Sequence, residues 1–283
     1  MIFRAYYPKP LFPPVSLSEG CILMCRHCKG KYLGGMEKIR NSEKLVEYCR
    51  KLENGGGKGI LVSGGSDREG RILNLERAIG AFKKIKEETN LIVAIHTGYV
   101  DENMADRLIN ACDIAFVDMI GSDETVKQVM GLGGINIYTE SLKNLIDAGI
   151  PVTPHITIGL DYGNINGEYA ALELIKTFPI KKIVLNIICP TKGTDFENIN
   201  IPSMDEIRAI IKKSKEQELD VALGCMRPRG MQEIEEEAIT EGIKNIALPS
   251  MKAIKYAEKN GYVVEKVQAC CGLTNGMINK ITR

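Results

Sequence analysis

Short apolar, β-branched runs alternate with amphipathic stretches from Val15 onward, at intervals of roughly 30 residues, and this rhythm restricts the fold more than any other feature. Strands are expected over 15–18, 60–63, 91–96, 114–118, 152–158, 182–188, 221–224 and 245–248. Helices are expected over 42–52, 73–88, 102–111, 139–148, 168–177, 204–216, 232–241 and 251–260. Ser42, Asp101 and Ser250 read as caps at helix starts, and Asn54, Gly149 and Gly261 as stops. Length alone allows two ordinary domains or one large barrel. Eight alternating pairs predict an α/β fold, a single (βα)8 TIM-type barrel over 1–283, with a proline-rich arm over 1–14 and a Cys-Cys tail over 262–283. A partial (βα)6 barrel with a C-terminal extension is the competing count.

In such a barrel the loops after the strands converge on one mouth, which makes strand ends the place to look for chemistry. The first of these loops carries Cys21-Ile22-Leu23-Met24-Cys25-Arg26-His27-Cys28, a C-x3-C-x2-C spacing. Three close thiolates are good iron-cluster ligands, and a four-iron cubane on three cysteines keeps one iron free for something else. A zinc site that recruits His27 is strained, because His27 adjoins Cys28. The cysteine count of 9 is odd and nothing marks the chain as secreted, so disulfides are not expected. Residues 1–8 lack a long apolar core and are followed by Pro10, Pro13 and Pro14, unlike a signal peptide, and no apolar run approaches a membrane span. A cytoplasmic protein with reduced thiols is expected. Its 44% hydrophobic and 26% charged residues fit a globular chain with a large core. A formal net charge of +1 gives no reason to expect nucleic acid or membrane as a partner.

The second strand ends in Ser63-Gly64-Gly65-Ser66, where paired glycines let backbone approach a ligand. His27, His96 and His155 all fall at the expected mouth, although a strand histidine such as His155 reads equally well as a satisfied core group. Asp118, ending the fourth strand, is a charge that an interior does not hold without partners. Gly55-Gly56-Gly57-Lys58 precedes a strand and lacks the rest of a P-loop, so it reads as a turn. Cys49 and Cys112 read as buried packing residues. Cys189, Cys225 and the pair Cys270-Cys271 are different, because all can reach the mouth if the tail folds over it. Four thiols from separate loops suggest a second iron–sulfur cluster, with Arg227, Arg229 or an external sulfide as an alternative fourth ligand. A buried Cys225, a zinc site and a redox-active tail are the other readings. As cations beside the mouth, Arg227 and Arg229 are expected to hold a carboxylate, ligate or stabilise a cluster.

The cysteine loop resembles that of the radical S-adenosylmethionine (SAM) enzymes, C-x3-C-x-Φ-C, with His27 at the often aromatic position. The resemblance implies that Cys21, Cys25 and Cys28 hold a 4Fe-4S cluster whose open iron is chelated by SAM. It also implies reductive cleavage of SAM to a 5'-deoxyadenosyl radical, with the protein orienting and shielding the reaction. Gly64-Gly65 match a family motif whose backbone binds the amino group of SAM, and Ser66 stands where that motif has Glu. His27, Gly64, Gly65, His96, Asp118 and Asn186 form the expected cofactor-binding set. Asp118 is similar by position to polar strand-four residues of the biotin synthase group, and Asn186 opens an N-x-x-x-P-x-x-G-T segment found in the same relatives. Residues 159–168 resemble loosely the element that packs on adenine.

The runs 224–230, 153–160 and 188–194, together with Cys270-Cys271, resemble the archaeal-type lipoyl synthases, biotin-synthase-like enzymes that work as paralogue pairs. That similarity implies sulfur insertion into an octanoyl chain on a lipoyl carrier protein or peptide. It implies an auxiliary cluster on Cys189, Cys225, Cys270 and Cys271 as sulfur source, catalytic roles for Cys225, Arg227 and Arg229, a paralogous radical SAM partner, and a reductant such as ferredoxin. Two readings stand beside it: a radical SAM enzyme of the methylornithine synthase or hydrogenase maturase type without sulfur insertion, and an iron–sulfur electron carrier or scaffold.

Overall fold

The computed structural model describes residues 1–282. Its strands are β1 (Ile2–Tyr6), β2 (Pro14–Ser16), β3 (Glu37–Lys38), β4 (Gly59–Ser63), β5 (Ile92–His96), β6 (Ile114–Asp118), β7 (Val152–Ile158), β8 (Lys182–Ile187), β9 (Asp220–Leu223), β10 (Asn245–Ala247) and β11 (Val263–Val267). The helices between them are α1 (Ser42–Asn54), α2 (Leu75–Glu88), α3 (Glu102–Leu108), α4 (Asp123–Thr125), α5 (Asn136–Asp147), α6 (Glu168–Ile175), α7 (Met204–Glu216), α8 (Gln232–Thr240), α9 (Met251–Lys259) and α10 (Asn275–Ile281). The short α4 runs on into a π-helical turn, Val126–Met130. No described helix is long and apolar enough to cross a membrane.

Every strand pair is parallel, and the eleven strands follow the order β11-β1-β10-β9-β8-β7-β6-β5-β4-β2-β3. All eight expected strand positions are present, as β2 and β4 to β10. The closed eight-stranded barrel is not what they form. Within the sheet β10 pairs with β1 and β9, while β2 pairs with β3 and β4, leaving a parallel partial barrel. The cause lies in the two ends of the chain. The proline-rich arm opens with Ile2-Phe3-Arg4-Ala5-Tyr6, whose strand takes the edge of β10 that closure would need, and β11 then adds beside it in register from Ile2↔Val263 to Tyr6↔Val267.

One small correction concerns α1. Its N-cap is Asn41, whose side chain accepts from the Lys44 N–H at 2.9 Å, and Ser42 is the first helical residue. Asp101 and Ser250 cap α3 and α9 as expected.

Two apolar layers result from the period-2 alternation of the strands. One lies between sheet and helices; the other fills the inside of the curved sheet with Tyr6, Phe12, Ile92, Ile114, Phe116 and Val184. The tail belongs to this inner layer. After β11 the chain turns inward, and Ala269, Cys271, Leu273 and Ile278 pack among those side chains. Thr153 Oγ1 donates to the Gly272 carbonyl at 2.9 Å, and a Cβ on Gly272 would lie 2.8 Å from the Phe116 ring. Beneath the tail, at the N-terminal ends of three strands, lies a polar floor. Lys182 pairs with Asp220 at 3.0 Å, Asn245 Nδ2 donates to Asp220 at 2.7 Å, and Tyr6 OH donates to Asn245 at 3.0 Å. The tail therefore plugs the interior; it does not fold across the mouth.

Candidate functional site

The loop carrying Cys21, Cys25 and Cys28 follows β2 and is clipped to the end of β4 through the backbone. Ser66 O accepts from the N–H groups of Ile22 and Leu23, each at 2.9 Å, and Ser66 N–H lies 3.3 Å from Cys21 Sγ. Gly65 N–H donates to Ser18 Oγ at 2.7 Å. A Cβ on Gly65 would stand 2.0 Å from the Gly20 carbonyl oxygen and 2.4 Å from Cys21 Cα. The second glycine is thus needed for contact with the cysteine loop itself, a role apart from any ligand. Met24 and Lys29 take left-handed backbone angles, and Cys28 and Lys29 N–H both donate to Cys25 O at 3.2 and 2.8 Å, which turns the thiols of this segment to one side.

Cys25 is buried, and Cys21 and Cys28 are half-buried. Burial, followed by repulsion from their neighbours' thiolates, raises Cys25 and Cys28 above an ordinary thiol. Such a set is stable as thiolates only beside a cation, and soft sulfur donors suit iron, so these residues fit the expected cluster. Among the described residues no three His, Cys, Asp or Glu groups converge on one ion position.

Beneath the loop is a cavity of about 260 Å³ bounded by the three cysteines, Gly64, Gly65, His96, Asp118 and Tyr138. A second cavity, about 200 Å³, continues past a partition of His27, Tyr32, His96, Asp118 and Met130 to His155, Thr157, Leu160, Asn186 and Met226. The loop after β8 roofs this part: Lys29 Nζ bonds Asp195 at 2.5 Å, Tyr32 OH and Thr191 Oγ1 are 3.2 Å apart, and His27 stands edge-on to Phe196 at 6.1 Å. Burial lowers His27 to about 4, so it is neutral there, and its Nδ1 is buried without a partner.

His96 and Asp118, which end β5 and β6, face each other at 3.5 Å. Burial works against both charges, yet each favours the other's, so His96 is raised and Asp118 lowered from their ordinary values. The expected partner for the strand-four charge is therefore a histidine. His155 rests 5.3 Å from the His96 ring and edge-on to Phe116 at 5.1 Å. Burial, then repulsion from His96, lowers it to about 3, and its Nδ1 has no partner. His155 is not the satisfied core group that one reading expected.

The remaining expected thiols influence one another in pairs, and among the described residues no three of them meet at one ion position. Cys189 feels Cys225, Arg227 and Arg229; Cys225 feels Cys270; and Cys271 feels Cys225. Cys225 is exposed and Cys271 buried. An S–H hydrogen bond from Cys271 lowers Cys270 and raises Cys271, and Lys182 and His96 lie close enough to favour the Cys270 thiolate further. Burial raises Cys189 to about 11 against the two arginines. Cys49 and Cys112 are buried away from this group, each raised to about 12 by burial.

Arg227 departs from expectation. Its side chain is 1% exposed, ion-paired with Glu235, and bonded to Gly224 O at 2.5 Å and Leu248 O at 3.1 Å. The guanidinium is spent on holding the Cys225 loop to α8 and the end of β10, so it has no free edge for a carboxylate or a cluster. Arg229, more exposed, donates to Cys225 O at 2.7 Å and Leu248 O at 3.0 Å. Asn186 lies over Gly224, where a Cβ would come within 2.0 Å of its Oδ1. Sequence reasoning missed Tyr32, Met130, Tyr138 and Phe196; aromatic residues just after a cysteine motif were the available signal for Tyr32, whereas the other three reach the site from distant loops and helices.

A family model described as the Radical SAM superfamily matches residues 15–175. Among curated proteins, the chain is 26% identical over 199 residues to a biotin synthase of Acetivibrio thermocellus, covering 67% of this chain and 60% of that one. It is 23% identical over 239 residues to a tRNA-2-methylthio-N(6)-dimethylallyladenosine synthase of Staphylococcus saprophyticus, covering 80% and 45%. The alignments thus span less than two thirds of either relative's length. Among solved structures, HydG, a maturase of the FeFe-hydrogenase, superposes with TM-score 0.67 at 16% identity over 93% of this chain and 64% of that one. Methylornithine synthase (PylB) gives 0.63 at 13% identity over 87% and 72%. At such identities the structural likeness speaks to the fold alone. The matched segment begins at β2, takes in the cysteine loop and the Gly64-Gly65 clip, and ends with α6, which places this chain in the Radical SAM superfamily.

Proposed function

We propose that this radical SAM enzyme inserts sulfur into an octanoyl chain carried on a lipoyl carrier protein or peptide, with Cys189, Cys225, Cys270 and Cys271 holding an auxiliary iron–sulfur cluster. The observation behind this reading is that Cys189, Cys225, Cys270 and Cys271 influence one another pairwise and that Cys270 also lies near His96, which faces the cavity under Cys21, Cys25 and Cys28. Bound together, SAM and the first cluster supply a carbon-centred radical able to take hydrogen from an unactivated C–H bond. The chain's own residues position and exclude. Ser66 and Gly65 fix the cysteine loop, and the partition of His27, Tyr32 and Met130 separates the two cavities. Met119, Ile120, Leu160 and Met226 line the second cavity with apolar surface that keeps water from a reactive carbon. At about 200 Å³ that cavity admits a slender chain while a folded carrier stays outside. One curated relative is named for a 2-methylthio product, which supports carbon–sulfur chemistry here. A paralogous radical SAM partner and a reductant such as ferredoxin complete the reading.

The test is mass spectrometry of an octanoylated carrier peptide incubated with reduced, reconstituted protein and SAM, with and without a paralogue, alongside an iron count. Gain of sulfur and about eight irons per chain are expected. Formation of 5'-deoxyadenosine with about four irons and no sulfur-bearing product overturns the proposal.

One observation favours a second reading, a polar substrate without sulfur insertion. His155 Nδ1, buried and unpartnered, shares the second cavity with Asn186 and Thr157, and a purely aliphatic occupant leaves that nitrogen unsatisfied at a cost of about 1–3 kcal/mol. His155→Phe separates the two: KM rises about tenfold or more for a substrate that bonds His155, and holds or falls for an aliphatic one.

A further inference from the structure

Outside the curved sheet, a groove of about 840 Å³ follows α1 from its cap Asn41 past Lys44 and Tyr48 to Lys51. Lys38 of edge strand β3, Arg40, and Arg77 in the first turn of α2 complete it. Five cations thus face two carboxylates, Glu19 and Glu47, a surplus of three in a chain whose whole formal charge is +1. Glu19 is divided between Lys38 at 3.6 Å and Arg40 at 3.5 Å, and Glu47 is taken by Lys51 at 2.6 Å. Lys44 and Arg77 have no ion-pair partner among the described residues. Both helices that border the groove present their N-terminal turns to it, adding positive potential, and a concave wall focuses such a field.

The position of this charge indicates its use. Glu19 precedes Cys21 by two residues, and the groove residue Asn74 donates to Leu17 O at 2.8 Å, so the groove borders the segment that leads from β2 into the cysteine loop. It lies on the helix-covered flank, whereas both cavities open among the strand ends. A partner seated there is close to Cys21 without entering the path of the substrate. We propose that this groove docks a small acidic one-electron carrier protein that reduces the cluster on Cys21, Cys25 and Cys28. The carrier loses one electron, the cluster gains it, and no bond forms or breaks. The proposal rests on membership of the superfamily and not on the sulfur-insertion reading. A nucleic acid would also meet the charge, but a base awaiting modification must enter the mouth, away from this flank.

The test compares the full-length chain with a Lys44→Glu/Arg77→Glu double variant, and with Lys44→Met/Arg77→Met in case reversal disturbs folding. Binding of a strongly acidic plant-type ferredoxin is measured by calorimetry on cluster-free protein, at low and high salt. Reduction of the reconstituted cluster is followed separately with reduced ferredoxin and with dithionite. At low salt the reversed variant is expected to bind ferredoxin at least about tenfold more weakly and to be reduced correspondingly slowly, the neutral variant to fall between, and high salt to bring all three together. Dithionite-driven formation of 5'-deoxyadenosine stays at the wild-type level. Wild-type chain that does not bind ferredoxin at low salt, variants that bind it like wild type, or a loss confined to tRNA binding would each overturn the proposal. Absence of sulfur transfer with intact ferredoxin binding bears on the proposed reaction alone.

Discussion

Gly65→Ala tests how the cysteine loop is held. The new methyl would lie 2.0 Å from Gly20 O and 2.4 Å from Cys21 Cα, both backbone atoms that no rotamer change can move aside. Non-bonded carbons settle about 3.5–4.0 Å apart, so the Gly20–Cys21 backbone must retreat by roughly an ångström or more. That retreat pulls Cys21 Sγ from Ser66 N–H and strains the paired bonds from Ile22 and Leu23. Overpacking of this kind costs about 1–3 kcal/mol, which is on the order of 5- to 150-fold in the equilibrium between the native loop and a displaced one. Gly64→Ala is the internal control: its methyl would meet Ile72 Cγ2 at 3.2 Å and Ser18 Oγ at 3.3 Å, two side-chain atoms that yield by tenths of an ångström. The assay is iron content and visible absorbance after anaerobic reconstitution at limiting iron without SAM, so that contacts with SAM play no part. Gly64→Ala should load iron like wild type, and Gly65→Ala about tenfold less. Equal loading of the two variants would refute the clip.

Arg227→Met should cost about 3–5 kcal/mol in urea unfolding, because it strands the Glu235 carboxylate, which is 7% exposed; the double change Arg227→Met/Glu235→Leu should recover much of the loss, and a single-variant loss below about 1 kcal/mol would contradict the assignment. Glu168, the first residue of α6, is raised above an ordinary carboxyl because burial outweighs its bonds from backbone N–H groups, among them Gly159 at 2.7 Å. Its contribution is fully present below the ordinary Glu value and lost as pH rises through the raised one, so Glu168→Gln should flatten the rise of wild-type stability toward acid in that window and be the more stable protein at neutral pH. A parallel pH profile for the two proteins counts against the burial argument.

The parts of this molecule that the sequence makes legible are those whose signal is local. Eight strand positions could be read because each lies between an amphipathic helix and a strand-end loop, and Cys21, Cys25, Cys28 and Gly64-Gly65 because their spacing is short. What escaped depends on pairing between distant segments. Ile2–Tyr6 is a strand hidden in a proline-rich arm, although the alternation of buried Phe3 and Ala5 with Ile2 and Arg4 was present in the residues. Val263-Val264-Glu265-Lys266-Val267 carried a β-branched signal too, yet nothing local says that it joins β1 at the sheet edge. Arg227 looked like a mouth cation because its partner Glu235 belongs to the next helix, and the acceptors that occupy it become countable only when Leu248 O is brought alongside. The His96–Asp118 pair was half legible: a charge at a strand end demands a partner, and register decided which one.

The plug formed by the tail also sets an order of assembly. Residues 263–281 leave the ribosome after every strand whose inner face they cover. Until they do, Phe116, Val184 and Ala222 face an unfilled hollow, and Cys225 lacks the company of Cys270 and Cys271. Iron can meet the early cysteines of the first loop while the nascent chain is still growing. Losing residues 263–281 would uncover Phe116, Val184 and Ala222 and take away Cys270 and Cys271, while the first loop and its backbone clip to the end of β4 lie outside the lost segment.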